Sequence, residues 1–464
     1  MNASDLRRPL ANSVASSLAS ASGHPLSAPL AHALAQDGGI AHDPLSAMHT
    51  LSGADTLDHT NHPLDTRASS TASHDASTSP SVLFVDQSGQ LGGAEFALLP
   101  LAASCAARGK VVLLSEGPFR ARLEALGVRV EMVTNQKVSG IKRQAPGLGM
   151  LRAVPAMLGQ VRRIAAHARQ FDVLFLNTQK ALVLGALGKP LHRRPVVWYL
   201  HDILTREHFG NMQLRVVRWL TRHVVDHVVA NSKASADAFS ALTGIDVSKV
   251  PIVHNGIDAD AFSNAPREPA EIAALRRRLE LPENAYLVGL FGRLAPWKGQ
   301  HLALEMLARV PDAHLVLVGA ALFGEHAYEQ ALRLQAERLG IADRVHFAGF
   351  RDDMPAWMRA MDAILHTSTE PEPFGRVIVE GMAAGRPVIG SAAGGVKEIL
   401  RHGENGWLVA PGDIDGYAHA IGMLRVDPAL AQRVADQGAI EARRDFSLNN
   451  YLLRMTQAIA NAAK

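Results

Sequence analysis

From residue 81 onward, short apolar runs rich in Val, Ile and Leu alternate with stretches of helix length, and this alternation occurs twice. Strands that are apolar along their whole length, with helices between them, indicate parallel sheets covered on both faces. The segment 263–285 interrupts the alternation, and its early prolines and charged helical stretch suggest a linker. The predicted strands are residues 82–86, 111–115, 128–133, 172–178, 195–201, 227–231 and 251–258 in the first half, and 286–294, 314–320, 344–350, 362–368, 387–393 and 406–412 in the second.

The whole chain divides into five predicted segments. Its 464 residues suit two domains of roughly 150–200 residues with additional segments. Two consecutive α/β sheets place ligand chemistry at the carboxyl ends of their strands, facing a shared crevice. The segments are an N-terminal extension (1–80), a first Rossmann-like domain (81–265), the linker (266–285), a second Rossmann-like domain (286–445), and a C-terminal helix expected to pack back on the first domain (446–464).

The first 80 residues differ in composition from the rest of the chain. They contain no Lys, no Glu and no aromatic residue, whereas Ser, Ala and Thr are frequent. Such a segment buries too little apolar surface to offset its ordering entropy, so we predict that it is disordered. Because its first part is Ser/Ala-rich and poor in acids, an organelle transit peptide stays open as an alternative.

Composition and charge exclude several kinds of partner. The net charge of +3 gives no general attraction to nucleic acid, so no nucleic-acid partner is expected. No apolar run approaches the ~18–20 residues of a membrane span, and no secretory h-region follows Arg8. The single cysteine, Cys105, cannot form an internal disulfide and is expected to be an inert buried thiol. These features favour a cytoplasmic protein.

A glycine-rich loop follows the first predicted strand. The sequence QSGQLGGAEFALL comes directly after Asp86, in the order strand, loop and helix start that lets free backbone N–H groups bind phosphate. Its spacing differs from GxGxxG, which argues against bound NAD or FAD. The alternative is a tight turn that needs Gly92 and Gly93 for backbone reasons alone. Pro100 is expected to kink the helix that follows.

Two cations follow the first strand of the second half. Arg293 and Lys298 lie in FGRLAPWKGQHLALEML, just beyond the carboxyl end of that strand. A planar guanidinium and a compact ammonium placed there can neutralise a diphosphate. The alternative is that both side chains are simply solvated at a loop.

Two glutamates form the most informative pattern. Glu372 and Glu380 are separated by seven residues, the first in a loop after a strand and the second inside a helix predicted to begin near Phe374. Carboxylates placed in this way can accept hydrogen bonds from the vicinal hydroxyls of a ribose or hexose. Gly394 and Gly395 precede another helix start, which predicts a second anion site.

Together these residues give the chain a family resemblance. It resembles the retaining glycosyltransferases of family 4 with the GT-B fold, an α/β architecture of two Rossmann-like domains facing a central cleft. The Glu-x7-Glu pattern downstream of GR and KG is more specific than any motif alone. The motifs are GGAE at 92–95, NGID at 255–258, GRLAPWKG at 292–299, EPFGRVIVE at 372–380 and GG at 394–395.

The resemblance implies a donor-binding role for each motif of the second domain. By it, Arg293 and Lys298 bind the donor diphosphate and Glu380 accepts hydrogen bonds from the ribose. Glu372 and the backbone of Phe374 and Gly375 meet the transferred sugar. Gly394 and Gly395 are included among the donor-binding residues.

The first domain contributes two further elements by the same resemblance. Gly92 and Gly93 approach a phosphate of the donor from the opposite side. His201, in WYLHD, matches the family's histidine near the sugar, with a neutral core histidine as the alternative. We therefore predict His201 as a catalytic residue together with Arg293, Lys298 and Glu372. The proline at position 100 departs from the family pattern.

The resemblance also implies a reaction. A hexosyl group would pass from a nucleoside-diphosphate sugar to a glycan or lipid-linked acceptor, as in exopolysaccharide, lipopolysaccharide or glycolipid synthesis. No metal or other cofactor is expected, because protein cations can stabilise the departing diphosphate. The DID at 413–415 resembles a metal motif, but Asp413 is better explained as a helix N-cap. The alternatives are an epimerase, a phosphorylase-like enzyme or a catalytically silent nucleotide-sugar binder.

A basic stretch suggests a membrane surface as a further partner. Residues 132–171 contain seven Lys/Arg and no acid. On a helical wheel, the cations of residues 151–169 lie opposite Val154, Leu158, Val161 and Ile164. We expect this face to attract anionic lipid, placing the protein at the inner face of the membrane. An ordinary helix with its apolar face on a sheet is the alternative.

Overall fold

The computed structural model describes residues 79–133, 148–263, 268–321 and 325–464. The disorder predicted for residues 1–80 therefore falls almost entirely outside the described residues. No helix within the described ranges is both long enough and apolar enough to cross a bilayer.

The first domain is a parallel six-stranded sheet in the order β3-β2-β1-β4-β5-β6. Every central strand is buried along its length, which explains the continuous apolar runs in the sequence. The strands are β1 (Val82–Asp86), β2 (Gly109–Leu113), β3 (Val130–Met132), β4 (Val173–Leu176), β5 (Val196–Leu200) and β6 (His227–Ala230). The helices are α1 (Gly93–Ser104), α2 (Pro118–Ala125), α3 (Leu148–Ala168), α4 (Gln179–Leu187), α5 (Lys189–His192), α6 (Asn211–His223) and α7 (Lys233–Thr243), with a 3₁₀ turn at Val247–Lys249.

The second domain repeats this plan with the order β12-β11-β10-β7-β8-β9. The strands are β7 (Tyr286–Phe291), β8 (Ala313–Val318), β9 (Val345–Gly349), β10 (Ala363–His366), β11 (Val388–Ser391) and β12 (Trp407–Val409). The helices of this half of the chain are α8 (Ala259–Ser263), α9 (Pro269–Arg278), α10 (Gln300–Arg309), α11 (His326–Arg338), α12 (Met354–Ala360), α13 (Arg376–Ala383), α14 (Val396–Ile399), α15 (Ile414–Val426), α16 (Pro428–Asp445) and α17 (Leu448–Ala462), the last of which packs on the first domain, with 3₁₀ turns at Pro296–Lys298 and Ala342–Arg344.

The two sheets confirm the predicted fold class. In each, the first strand of the domain is paired on one side with the second strand and on the other with the fourth, so the strand order reverses there. Loops that leave the carboxyl ends of strands at such a reversal diverge and leave a crevice for ligands. The glycine-rich loop after β1 and the Arg293 loop after β7 both start at these points.

One predicted strand is wrong. Residues 251–258 form no strand, and only a single bridge joins Ile252 to Ala230 at the edge of the first sheet. The chain leaves the sheet here to enter the second domain, where Ile257 pairs with Ser447. This apolar run of strand length is therefore part of the segment that connects the two domains.

The segment interpreted as a linker is packed into the second domain. Helix α9 buries Leu275 in that domain's core. Arg276 is also buried, and its guanidinium donates to the backbone oxygen of Ala360 and to Asp362, both at 2.8 Å. These contacts make α9 an outer layer of the second sheet.

Helix α17 returns the chain to the first domain. Met455 and Ile459 are buried in a core cluster with strand β1, and Tyr451 Oη donates to the backbone oxygen of Ala97 at 2.9 Å. Helix α1, which carries Ala97, runs as one element through Pro100. The helix that carries Gly93 is therefore not interrupted at Pro100, where the sequence predicts a kink.

Candidate active site

The site is a cavity of about 1230 Å³ between the two domains, lined by the loops at the carboxyl ends of both sheets. Nine of the eleven predicted site residues line it. They are Gly92, Gly93, His201, Arg293, Lys298, Glu372, Phe374, Gly375 and Glu380.

Lys298 is held at the end of a 3₁₀ turn by close backbone packing. Gly299, which follows it, has a φ of +72°, and a Cβ there would lie 2.1 Å from the backbone oxygen of Thr367. The hydroxyl of Thr367 in turn donates to the backbone oxygen of Lys298 at 2.9 Å. Only glycine permits this approach, so the turn fixes Lys298 against the end of strand β10.

Glu372 is the partner of Lys298. Its Oε1 accepts from the Lys298 ammonium and, at 2.7 Å, from Ser368 Oγ, while His366 Nε2 lies 3.0 Å away. Burial alone would raise the pKa of the Glu372 carboxyl, but Lys298 and His366 hold it well below its usual value. The second domain thus keeps a charged carboxylate and a charged ammonium inside the cleft.

Arg293 lies at the carboxyl end of β7, on the same wall. Its guanidinium Nε is 3.6 Å from Glu325 Oε2, and its backbone oxygen accepts from Gln300 Nε2 at 2.9 Å. Burial raises the pKa of Glu325, with Arg293 acting in the opposite direction. Arg293 and Lys298 therefore place two cations along one edge of the cavity.

Glu380 lies one turn into helix α13 and is paired with Arg376 at 2.6 Å. Burial raises the pKa of the Glu380 carboxyl against the opposing effect of Arg376. The Arg376 guanidinium also lies 5.3 Å from the ring centre of Phe96 in the first domain. The helix can start here because Gly375, its N-cap, has a φ of +98°, which L side chains rarely adopt.

Gly394 and Gly395 lie behind the site and do not line the cavity. A Cβ on Gly394, whose φ is +58°, would lie 2.2 Å from the backbone oxygen of Glu372. The amide of Gly395 donates to that same oxygen at 2.8 Å. These glycines let two loops touch and so support the Glu372 loop from behind, which gives them a structural role, and an anion site at Gly394 and Gly395 stays a prediction.

The glycine-rich loop of the first domain has one open position. Gly92 is the N-cap of α1, and its amide donates to Glu95 Oε2 at 3.0 Å. A Cβ on Gly93 would meet no protein atom within 4 Å, and its φ is not positive. Neither space within the protein nor backbone conformation therefore requires glycine at this position, and the contact of Gly93 with a phosphate stays a prediction.

Two buried carboxyls lie behind this loop. Burial raises the pKa of Asp86 to about 6, and burial together with the charge of Asp86 raises that of Glu95 to about 8. Glu95 is therefore protonated at neutral pH. This wall of the cleft carries less negative charge than its sequence suggests.

Asn177 determines which nitrogen of the His201 ring carries the proton. The Asn177 amide nitrogen donates to Asp86 at 2.6 Å and to the backbone oxygen of Ala94 at 3.1 Å, so its oxygen faces His201 Nε2 at 3.0 Å and accepts. His201 must then carry its proton on Nε2. Its Nδ1 is left with a lone pair and no hydrogen-bond partner among the described residues. Burial lowers the pKa of His201 to about 3, so the ring is neutral.

Sequence comparison identifies both halves of this cleft. Residues 91–261 match the family described as Glycosyltransferase Family 4, and residues 271–440 match Glycosyl transferases group 1. The chain is also 30% identical, over 356 residues, to the D-inositol 3-phosphate glycosyltransferase of Mycobacterium marinum, covering 70% of this chain and 75% of that enzyme. The chain belongs to glycosyltransferase family 4.

Solved structures of relatives share the fold of this family member. HepE of Anabaena in complex with UDP is 39% identical, with a TM-score of 0.74, over 82% of this chain and 100% of HepE. HepE has also been solved in complex with UDP-glucose, and that structure superposes with a TM-score of 0.73.

Some curated relatives match only in part. The lipopolysaccharide core biosynthesis glycosyltransferase LpsE of Rhizobium meliloti is 37% identical over 167 residues, which are 36% of this chain and 47% of LpsE. The chain thus spans about half the length of LpsE and of several mycobacterial relatives, for which the share is 48%.

Several residues of the site were not predicted from the sequence. Arg376 had a detectable signal, because it stands four residues before Glu380 on one helix face. The carboxyl pair of Asp86 and Glu95, and the link through Asn177, join residues from three separate elements. Asp413, by contrast, is the helix N-cap predicted for it, accepting from the Gly416 amide at 2.9 Å.

Proposed function

We propose that the chain is a retaining hexosyltransferase that moves a sugar from a nucleoside diphosphate to a glycan or lipid-linked acceptor. The observation that carries the proposal is the convergence on one cavity of Arg293, the Lys298–Glu372 pair and Glu380, with Gly93 opposite them. The UDP and UDP-glucose complexes of HepE support a nucleotide-sugar donor, and the role of LpsE in lipopolysaccharide core biosynthesis supports a glycan or lipid-linked acceptor.

The reaction is a substitution at the anomeric carbon. The bond from that carbon to the diphosphate oxygen breaks, and a bond to the acceptor oxygen forms on the same face of the sugar, while the proton of the acceptor hydroxyl passes to the leaving diphosphate oxygen. Negative charge gathers on the leaving diphosphate while the sugar becomes oxocarbenium-like. Arg293 and Lys298 stabilise that charge, and Gly93 lets the backbone approach a phosphate from the other wall.

The remaining residues bind and orient the sugar nucleotide. Glu380 accepts hydrogen bonds from the ribose hydroxyls. Glu372 holds Lys298 in place and meets the transferred sugar, beside the backbone of Phe374 and Gly375. The neutral ring of His201 lies beside the transferred sugar, and Asn177 keeps its proton on Nε2.

We propose that transfer needs no divalent metal, since the two cations supply the positive charge. Donor turnover should survive chelation by EDTA. Abolition of turnover by EDTA, with restoration by a divalent ion, would show that Arg293 and Lys298 do not replace a metal.

A panel of nucleotide sugars tests the proposed reaction. Incubation with each donor should release free nucleoside diphosphate for one base and sugar combination, and an added glycan or lipid-linked acceptor should accelerate that release. An epimerase would convert the donor without release, and a phosphorylase-like enzyme would require phosphate. Tight donor binding without any turnover would identify a silent binder and overturn the proposal.

We also propose that the protein works in the cytoplasm at a membrane surface. The predicted lipid-binding helix within 132–171 needs correction in one respect, because Val161 and Ile164 of α3 are buried in the first domain's core. The apolar face of that helix packs against the sheet. Among its described side chains, those exposed to a lipid surface include the cation Arg162 and the apolar Leu158.

A further inference from the structure

Helix α6 carries a second apolar stripe that faces water. Met212 is 68% exposed, Val216 36% and Trp219 54%. These positions are spaced by four and three residues and so share one face of the helix. The opposite face already supplies the core contacts of α6, through the buried side chains of Leu214, Val217 and Leu220.

Arginine side chains lie along one side of this stripe. Arg215, Arg218 and Arg222 are exposed on α6, and residues 208–225 contain no Asp or Glu. The acid that follows, Asp226, is bonded to Lys189 at 2.6 Å. The face is therefore both apolar and positively charged.

Neighbouring elements extend the face. Leu187 of α4 and Leu191 of α5 are each 42% exposed. A groove of about 600 Å³ lies between these elements and α6, lined by Leu187, Pro190, Arg193, Trp219 and His223 among others. Trp219 thus stands at the edge of an open groove.

We propose that this α6 surface, comprising α6 with Leu187 and Leu191, docks on an anionic lipid bilayer. A helix with an exposed Trp and a narrow apolar stripe bordered on one side by arginines suits the interface of such a membrane. A second copy of the chain is disfavoured, because a two-fold contact would bring the same arginines against each other.

Docking by α6 would orient the cleft. The side chain of Gln213, near the start of α6, donates to Gln179, and Gln179 donates to Asp202 at 3.0 Å. Asp202 adjoins His201 of the active site. The end of α6 that carries Met212 therefore lies on the cleft side of the domain.

Vesicle sedimentation of the full chain tests the charge requirement. Binding should be strong on vesicles of phosphatidylcholine with phosphatidylglycerol, weak on phosphatidylcholine alone, and weakened by salt. The triple variant Arg215→Gln/Arg218→Gln/Arg222→Gln should lower partitioning by more than about tenfold. The matched variant Arg278→Gln/Arg338→Gln/Arg433→Gln removes the same charge from the second domain and should leave partitioning unchanged.

The apolar stripe is tested separately. Trp219→Ser should lower binding to anionic vesicles by about tenfold, whereas Leu453→Ser, which removes an exposed apolar side chain of α17, should not. Donor turnover in solution should be unchanged in both. Equal binding to neutral and anionic vesicles, or equal losses in the α6 and control triple variants, would overturn the proposal. A concentration-dependent dimer that Trp219→Ser abolishes would assign the face to a second copy.

Discussion

The two walls of the cleft stand on sheets of the same strand order, yet they hold their ionisable groups in opposite ways. In the second domain, Lys298 is paired with Glu372 and Arg376 with Glu380. Lys298 and His366 keep the pKa of Glu372 well below its usual value, against the effect of burial. The Glu372 carboxylate of that wall is therefore charged throughout the neutral range.

In the first-domain wall, burial shifts the pKa values of ionisable side chains toward their uncharged forms. The pKa of Glu95 rises to about 8, and that of His201 falls to about 3. A protonated Glu95 beside Gly93 does not repel an anion, and a neutral His201 can accept a hydrogen bond from a hydroxyl. We propose that the second-domain wall stabilises the leaving diphosphate through its cations, while the first-domain wall lets the Gly93 backbone approach a phosphate without repelling it.

The largest effect is expected from the charged wall. Arg293→Ala or Lys298→Ala should lower kcat by roughly 10²–10³, because both cations act on charge that develops in the transition state. Steady-state kinetics with the donor identified by the panel measures this. Folded single variants with wild-type kcat and KM would remove the proposed division between the walls.

Loss of Lys298 also leaves Glu372 buried without its main partner, which can cost stability. The double variant Lys298→Ala/Glu372→Gln removes both charges and serves as the control. It should recover thermal stability relative to Lys298→Ala without recovering kcat. Recovery of kcat as well would show that Lys298 only compensates for Glu372.

The neutral wall is tested at His201. His201→Ala should lower kcat/KM by about tenfold to thirtyfold, corresponding to the loss of one hydrogen bond in a buried site. The nitrogen chemical shifts of the imidazole should report a neutral ring with its proton on Nε2 down to about pH 5, since the pKa of His201 is lowered to about 3. Asn177→Ala should remove that tautomer preference. A cationic His201 at neutral pH would contradict the comparison.

Glu380 distinguishes binding from catalysis within the charged wall. Glu380→Gln should raise the donor KM by about fivefold to tenfold with little change in kcat, because the ribose is held equally in ground and transition states. Glu404→Gln, a change at an exposed acid of the same domain, is the matched control. A fall in kcat comparable to that of the cation variants would move Glu380 from the binding role to the catalytic one.

The sequence predicted the charged wall far better than the neutral one. Arg293, Lys298, Glu372 and Glu380 lie in contiguous motifs next to strand ends, and parallel sheets bring such ends to one edge. The pKa of Glu95 depends on its burial and on the charge of Asp86 at the end of strand β1. Neither can be seen from the spacing of residues in the sequence.

Glycine was the residue that sequence reasoning resolved least well. Gly394 was predicted to approach an anion, but it is needed for contact with the backbone of Glu372. For Gly93 the sequence allows either a tight turn or a phosphate contact. In the structure, a Cβ at this position would meet no protein atom within 4 Å. A glycine that approaches a ligand and one that approaches the chain look alike until their surroundings are known.

The smallest effect is expected at Glu95, and it depends on pH. Because the pKa of Glu95 is raised to about 8, its carboxyl is neutral at pH 7 and gains charge beside Gly93 as the pH rises. The donor KM should therefore increase about threefold between pH 7 and 9. In Glu95→Gln that increase should be absent, whereas Glu116→Gln, at an exposed acid of the same cavity, should retain it.

The same residue predicts a dependence of stability on pH with a definite sign. A carboxyl whose folded pKa lies above its unfolded value stabilises the fold below the unfolded pKa, and that stability is lost as pH rises through the folded pKa. For Glu95 the interval runs from its usual pKa of 4.5 to the raised pKa of about 8. The midpoint of urea unfolding should thus fall over this range in the wild type and fall less in Glu95→Gln. If both proteins show the same slope, Glu95 is ionised in the folded state, and the first-domain wall is charged like the second.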